Sequence, residues 1–259
     1  MKNLFLLRLS TLLSLVVTLS SNSCGSSSDA SFNSAGGDGQ AGSMARFAIM
    51  GNTLYAVDHF NLRTFDLSTP RTPAAGPVVP VGTDIETIFP RAPYLFIGSQ
   101  RGMFIYDTNS STPRLVGSYE HAVSCDPVVV ADRYAYVTLR NDGGCARGVN
   151  QLDVVDLVTM SRPLLVKSYP MSQPYGLGVD SSLVFVCDRG IKVFDARNTP
   201  NLVQLQAFNI AATDVIARRG VLLVTGADGL YQYRYSAPTA TGAGSLQQLS
   251  RIPVVPLKK

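Results

Sequence analysis

Residues 183–200 read LVFVCDRGIKVFDARNTP. Two short runs of aliphatic and aromatic residues, 183–186 and 191–194, flank Asp188-Arg189-Gly190, and the second closes on Asp195 before Asn198-Thr199-Pro200. Branched and aromatic side chains suit a pleated, half-buried surface, whereas Gly, Asp and Pro interrupt it. The stretch therefore predicts a hairpin and then a turn into a further strand. The same phrase recurs along the chain. Its first run is matched by LYAV at 54–57, YLFI at 94–97, YAYV at 134–137 and VLLV at 221–224. Taken in order with 183–186, the last residues of these runs lie 40, 40, 49 and 38 positions apart. The closing pair returns as Phe65-Asp66, Tyr106-Asp107 and Val155-Asp156, with Tyr233-Arg234 in the fifth copy. The proline turn returns as Thr69-Pro70, Thr112-Pro113 and Arg162-Pro163.

A unit of about 40 residues with four short strands is the sequence signature of propeller blades, because one four-stranded sheet buries both faces only when neighbours stack on it. With 15% charged residues, 22 Gly and 15 Pro in 259 residues, the composition suits many short strands and turns. The expectation is an all-β chain folded as a five-bladed β-propeller. The first unit reads as three strands, since residues 46–50 directly follow a polar stretch. Residues 247–255 have no other partner and are assigned to blade 1 as its outer strand, closing the ring and removing an open edge.

The wording of the repeats, above all Ala135-Tyr136-Val137, Leu152-Asp153-Val154-Val155-Asp156 and Ile191-Lys192-Val193-Phe194-Asp195, resembles the LVIVD-repeat propellers of bacterial, Bacteroidetes-like lipoproteins. The resemblance covers about residues 46–255 and implies a fold and an extracytoplasmic setting. It brings no shared catalytic residues with it.

The first residues read as a processed leader. Lys2 and Arg8 flank the start of an apolar run at 9–19 that is short for a bilayer span, and small residues lead to Cys24. This looks like a lipoprotein site, which predicts a signal peptide over 1–23, an acylated Cys24, a flexible linker over 24–45 and the propeller over 46–257. It places the chain outside the cytoplasm on the outer membrane, held by lipid only. The net charge of +4 includes both leader cations. So small an excess, with no clustered basic face, argues against nucleic acid as a partner.

Of the remaining cysteines, Cys125 and Cys145 stand at one end of the third unit, whose second-to-third loop is about ten residues longer than its counterparts. In an oxidising compartment a Cys125–Cys145 disulfide would staple that loop, contributing about 3 kcal/mol. Cys187 reads as a buried thiol.

Aligning the five inner strands on their apolar runs puts Arg46, Glu86, Asp126, Tyr175 and Thr213 around one mouth of the central channel. The loops on that face, among them Ser99-Gln100-Arg101, add His59, His121, Arg140, Asp188 and Arg189. Polar groups converging on a rigid scaffold are a common way to build a ligand site. A structural ring of ion pairs accounts for Arg46, Glu86 and Asp126 equally well. No nucleophile elbow, zinc-protease, phosphate-loop or spaced calcium motif occurs, and neither histidine has metal-ligand spacing. The expected function is therefore a monomeric binding module for a protein, peptide or glycan, without metal or cofactor. The alternative is a hydrolase or lyase working through Arg46, Glu86 and Asp126 with His59 or His121.

Overall fold

The computed structural model describes residues 42–121, 127–141, 148–237 and 243–254. They form twenty strands and no helix among the described residues, arranged as five four-stranded antiparallel sheets in a five-bladed β-propeller. Blade 1 comprises β1 (Phe47–Met50), β2 (Thr53–Val57), β3 (Asn61–Asp66) and β4 (Ala74–Pro80). Blade 2 comprises β5 (Ile85–Arg91), β6 (Tyr94–Ser99), β7 (Gly102–Asp107) and β8 (Arg114–Glu120). Blade 3 comprises β9 (Val128–Ala131), β10 (Tyr134–Leu139), β11 (Gln151–Asp156) and β12 (Leu164–Pro170). Blade 4 comprises β13 (Pro174–Asp180), β14 (Leu183–Asp188), β15 (Ile191–Asp195) and β16 (Val203–Phe208). Blade 5 comprises β17 (Asp214–Arg218), β18 (Val221–Gly226), β19 (Gly229–Ser236) and β20 (Ser245–Pro253).

Within every blade the four strands lie side by side in chain order. This corrects the expected closure: the C-terminal strand does not complete blade 1. It pairs with β19, from Gly229 opposite Pro253 to Ser236 opposite Ser245, and blade 1 has its own outer strand, Ala74–Pro80 on β3. That strand, AAGPVVP, carries two prolines and a glycine, a composition tolerated only at a sheet edge and poor as a sequence signal. Each third strand also slips register against its outer neighbour, just ahead of Asp66, Asp107, Asp156, Asp195 and the equivalent Arg234. The slips fall between Arg63 and Phe65, Ile105 and Tyr106, Val154 and Val155, Val193 and Phe194, and Gln232 and Tyr233. A bulge at one position in all five blades increases the twist of the outer strands, and its presence in blade 5 marks β20 as that blade's native fourth strand.

Three buried apolar clusters fill the gaps between successive blades from 1 to 5. One joins blades 1 and 2 through Leu62, Ile88 and Ile97. The largest runs through blades 2, 3 and 4 around Phe96, Val137 and Leu177. The third joins blades 4 and 5 around Phe185, Val215 and Val224. Cys187 lies in this last cluster, fully buried, and burial pushes its thiol well above the ordinary range. Residues ahead of β1 tie the inner strands together. Ser43 is buried; its hydroxyl donates to Asp214 Oδ1 at 2.8 Å and accepts from the Leu177 N–H at 2.8 Å, so it touches blades 5 and 4. The Ala45 carbonyl accepts from the Ile88 N–H of blade 2. The two-residue turns between first and second strands, at Gly51-Asn52, Ala92-Pro93, Asp132-Arg133, Ser181-Ser182 and Arg219-Gly220, all lie at one end, here called the turn end. The hairpins between second and third strands lie at the other, the mouth end.

Candidate functional site

Register decides which predicted residues share the mouth. Ile88, Val128, Leu177 and Val215 pair with Ile97, Val137, Val186 and Val224, each the fourth residue of its second strand, and Glu86, Tyr175 and Thr213 stand two positions ahead. In blade 1 the fourth residue of β2 is Ala56, which pairs with Phe47. Ala45 therefore occupies the position assigned to Arg46. The run LYAV starts one residue after the turn where the other four start at it, and a one-residue slip sends a side chain to the opposite face of the sheet. Arg46, exposed, does not join the ring of inner-strand positions that holds Glu86, Tyr175 and Thr213. Asp126, Cys125 and Cys145 lie outside the described residues, as does Cys24.

The mouth side chains find local partners. Glu86 is half-buried and its Oε1 accepts from Gln100 Nε2 at 3.3 Å. The Arg140 guanidinium lies 4.1 Å from the centre of the Tyr175 ring, the closest such stacking among the described residues, and Thr138 Oγ1 donates to the Tyr175 carbonyl. Thr213 Oγ1 is 3.0 Å from Thr225 Oγ1. Arg140 and Tyr175 are thus brought together from blades 3 and 4, a cation over an aromatic face that borders the channel.

The acidic residues of the hairpins are taken up by neighbouring backbone N–H groups and basic side chains. Asp188, 2% exposed, accepts from the Ser172 and Gln173 N–H groups and from Lys192 Nζ at 2.6 Å. Burial works to raise its carboxyl, but Lys192 and the two backbone donors outweigh it and hold the group below the usual carboxylate range. Asp58 is held far below that range by the Phe60 and Asn61 N–H groups and by Arg63. Arg189 occupies the left-handed corner of the blade 4 hairpin, with φ 51°, and points to solvent. Asp188 is thus part of the scaffold, not a ligand contact.

Asp214, on the innermost strand of blade 5, is the opposite case. Burial raises its carboxyl, with Ser43 and the Met44 N–H opposing that rise. The two aspartates predict opposite pH behaviour. Asp188, depressed in the fold, contributes stability above about pH 4 and loses it as pH falls through its folded value. Asp214, raised in the fold, costs stability as pH rises above about 4. Chemical denaturation as a function of pH should show Asp188→Ala losing about 2 kcal/mol at neutral pH, with the deficit shrinking in acid. Asp214→Asn should gain on the native chain as pH is raised from about 4 to 7.

A cleft of about 680 Å³ opens at the mouth end of blade 2, lined by Gly82, Thr83, Ser99, Arg101, Phe104, Glu120 and His121. Gly82 and Thr83 come from the connection out of blade 1, Ser99, Arg101 and Phe104 from the β6–β7 hairpin, and Glu120 and His121 from the end of β8. The backbone holds these segments in place: the His121 N–H donates to the Arg101 carbonyl, the Gly82 N–H to the Phe60 carbonyl, and the Arg101 N–H to Ser99 Oγ. The His121 ring sits 5.8 Å from Tyr119. His59, on the neighbouring hairpin, is exposed beside an equally exposed Phe60. No group of three metal-ligating side chains occurs among the described residues. The cleft thus offers a guanidinium, an imidazole, a carboxylate and an aromatic wall on one blade. Of these, sequence reasoning had placed His121 on the face and Arg101 in its loop. Glu120 and Phe104 were missed, because their own strands read as ordinary β structure and only the neighbouring connection makes them walls of a cavity.

The class this defines is a five-bladed β-propeller with a polar cleft at its mouth end. No model of a known protein family matches the chain, and no curated protein matches it. Solved structures do. A protein of unknown function from Desulfotomaculum acetoxidans superposes with a TM-score of 0.62 at 10% identity, over 80% of this chain and 68% of that one. The periplasmic gluconolactonase PpgL of Pseudomonas aeruginosa gives 0.56 at 15%, over 79% and 68%. Apo AztD of Citrobacter koseri gives 0.54 at 14%, over 77% of this chain and only 59% of its own length. At such identities the likeness establishes the propeller fold and nothing about activity.

Proposed function

We propose that the chain is an extracytoplasmic recognition module whose mouth end binds a peptide or glycan, with the blade 2 cleft as the principal contact. The observation that carries this reading is the cleft itself. Its volume falls within the range of small-ligand sites, and Arg101, Glu120 and His121 converge on it beside Phe104 from a rigid sheet. Arg140 stacked on Tyr175 extends the same face toward the channel. In this reading the chain is exported, anchored through an acylated Cys24, and its longest hairpin loop is held by a Cys125–Cys145 disulfide. The enzyme alternative through Arg46, Glu86 and Asp126 is disfavoured by the register of blade 1, which sets Arg46 out of line with Glu86. Peptide and oligosaccharide arrays probed with the full chain test the proposal. Binders should be found, and their signal should be lost when Arg101→Ala and His121→Ala are combined. Binding that ignores both substitutions would remove the cleft from the account.

A further inference from the structure

The charged residues are divided unevenly between the two ends. At the mouth end the described acidic and basic side chains balance. At the turn end nine arginines stand against six aspartates, with no lysine or glutamate. Five of the six aspartates there are engaged by nearby hydrogen-bond donors. Asp66, Asp107, Asp156 and Asp195 each accept from a backbone N–H two residues on, and Asp180 accepts from the Gly220 N–H and the Tyr235 hydroxyl. Two arginines are neutralised, Arg133 by Asp156 and Arg197 by Asp195. Arg91, Arg114, Arg162, Arg218, Arg219 and Arg234 make no ion pair among the described residues, and all but Arg91 are exposed. The surplus positive charge of the described chain is therefore concentrated on one end of the propeller.

Bare apolar side chains stand at the same end. Val158, in the β11–β12 turn, is 68% exposed, and Leu164, Leu115 and Val203, at the turn-end tips of three outer strands, are 62%, 55% and 58% exposed. Guanidinium groups together with protruding aliphatic residues match an anionic lipid interface, where the arginines reach phosphate and the apolar tips enter the headgroup boundary. We propose that the turn end docks on an anionic lipid surface, leaving the mouth end facing away from it. This docking is independent of any acyl chain and of what the blade 2 cleft binds.

Flotation tests it, using the unacylated full chain with phosphatidylcholine vesicles and with the same vesicles carrying about 30 mol% phosphatidylglycerol. The chain should float with the anionic vesicles only and be released by salt, as screened charge contacts are. Combining Arg114→Gln, Arg162→Gln, Arg218→Gln and Arg219→Gln should weaken that binding by about tenfold or more, and Val158→Asp should weaken it further. Arg46→Gln with Arg189→Gln, at the mouth end, should leave it unchanged. Equal flotation on both vesicle types, equal loss from the mouth-end pair, or retention on immobilised heparin without flotation would each overturn the assignment.

Discussion

Phe185→Ala is expected to destabilise the propeller by about 4 kcal/mol, because a large aromatic side chain removed from a closed core takes its transfer free energy with it and leaves a cavity. Phe185 is 1% exposed in the middle of β14, where every residue is buried. Its ring meets Tyr235 edge-to-face at 5.0 Å between centroids, across the junction of blades 4 and 5. The hole cannot collapse easily, since Gly178 opposite offers no side chain and already lies against the backbone of β17. Thermal melts should fall by roughly 10 °C for a domain of this size, while Phe185→Leu should lose only about 1 kcal/mol. Equal losses from the two would mean that the ring packs loosely.

Gly176→Ala is expected to cost about 3 kcal/mol, for a reason that backbone conformation does not supply. A Cβ placed on Gly176 would stand 2.1 Å from Asp214 Oδ1 and 2.8 Å from the Asp214 Cα, so β13 and β17 approach as closely as they do only because the side chain is missing. The strands must part, and Asp214 must let go of Ser43. Gly51 provides the contrast. Its φ is +56° and a Cβ there meets nothing within 4 Å, so Gly51→Ala carries only the left-handed penalty of about 1 kcal/mol. Urea midpoints of the two variants should separate accordingly. Similar midpoints would show that the blade 4–blade 5 junction relaxes at little cost.

The repeat was legible because its signals are local: an apolar run, a tight hairpin, and Asp before a proline turn define three strands of each blade from neighbouring residues alone. The fourth strands were harder, as they lie at sheet edges where little burial is demanded. Ala74–Pro80, rich in proline, was passed over, and its omission displaced the C-terminal strand onto the wrong blade. The mouth suffered from the same locality. An apolar run beginning one residue late in blade 1 was enough to bring Arg46 into a ring it does not join. Asp188 looked like a loop-face carboxylate because sequence spacing does not reveal that Ser172, Gln173 and Lys192 close over it. The blade 2 cleft depends on three segments meeting in space, so only His121 and its loop neighbour Arg101 were in view. The turn-end surplus of arginine was invisible for the opposite reason. Apart from the adjacent Arg218 and Arg219, its members are scattered over about 160 residues and become one surface only when five blades align their turns.

Both surfaces, the cleft at one end and the arginines at the other, depend on every blade being built from consecutive strands. Paired cysteines test this directly. Tyr233 of β19 and Gln248 of β20 are cross-strand partners. Tyr233→Cys with Gln248→Cys should therefore form a disulfide under mild oxidation, read by mass spectrometry of the linked peptides. Phe65→Cys on β3 with Gln248→Cys should not. A link from position 65 to position 248, with none from 233, would place the C-terminal strand on blade 1 and contradict the architecture on which both surfaces rest.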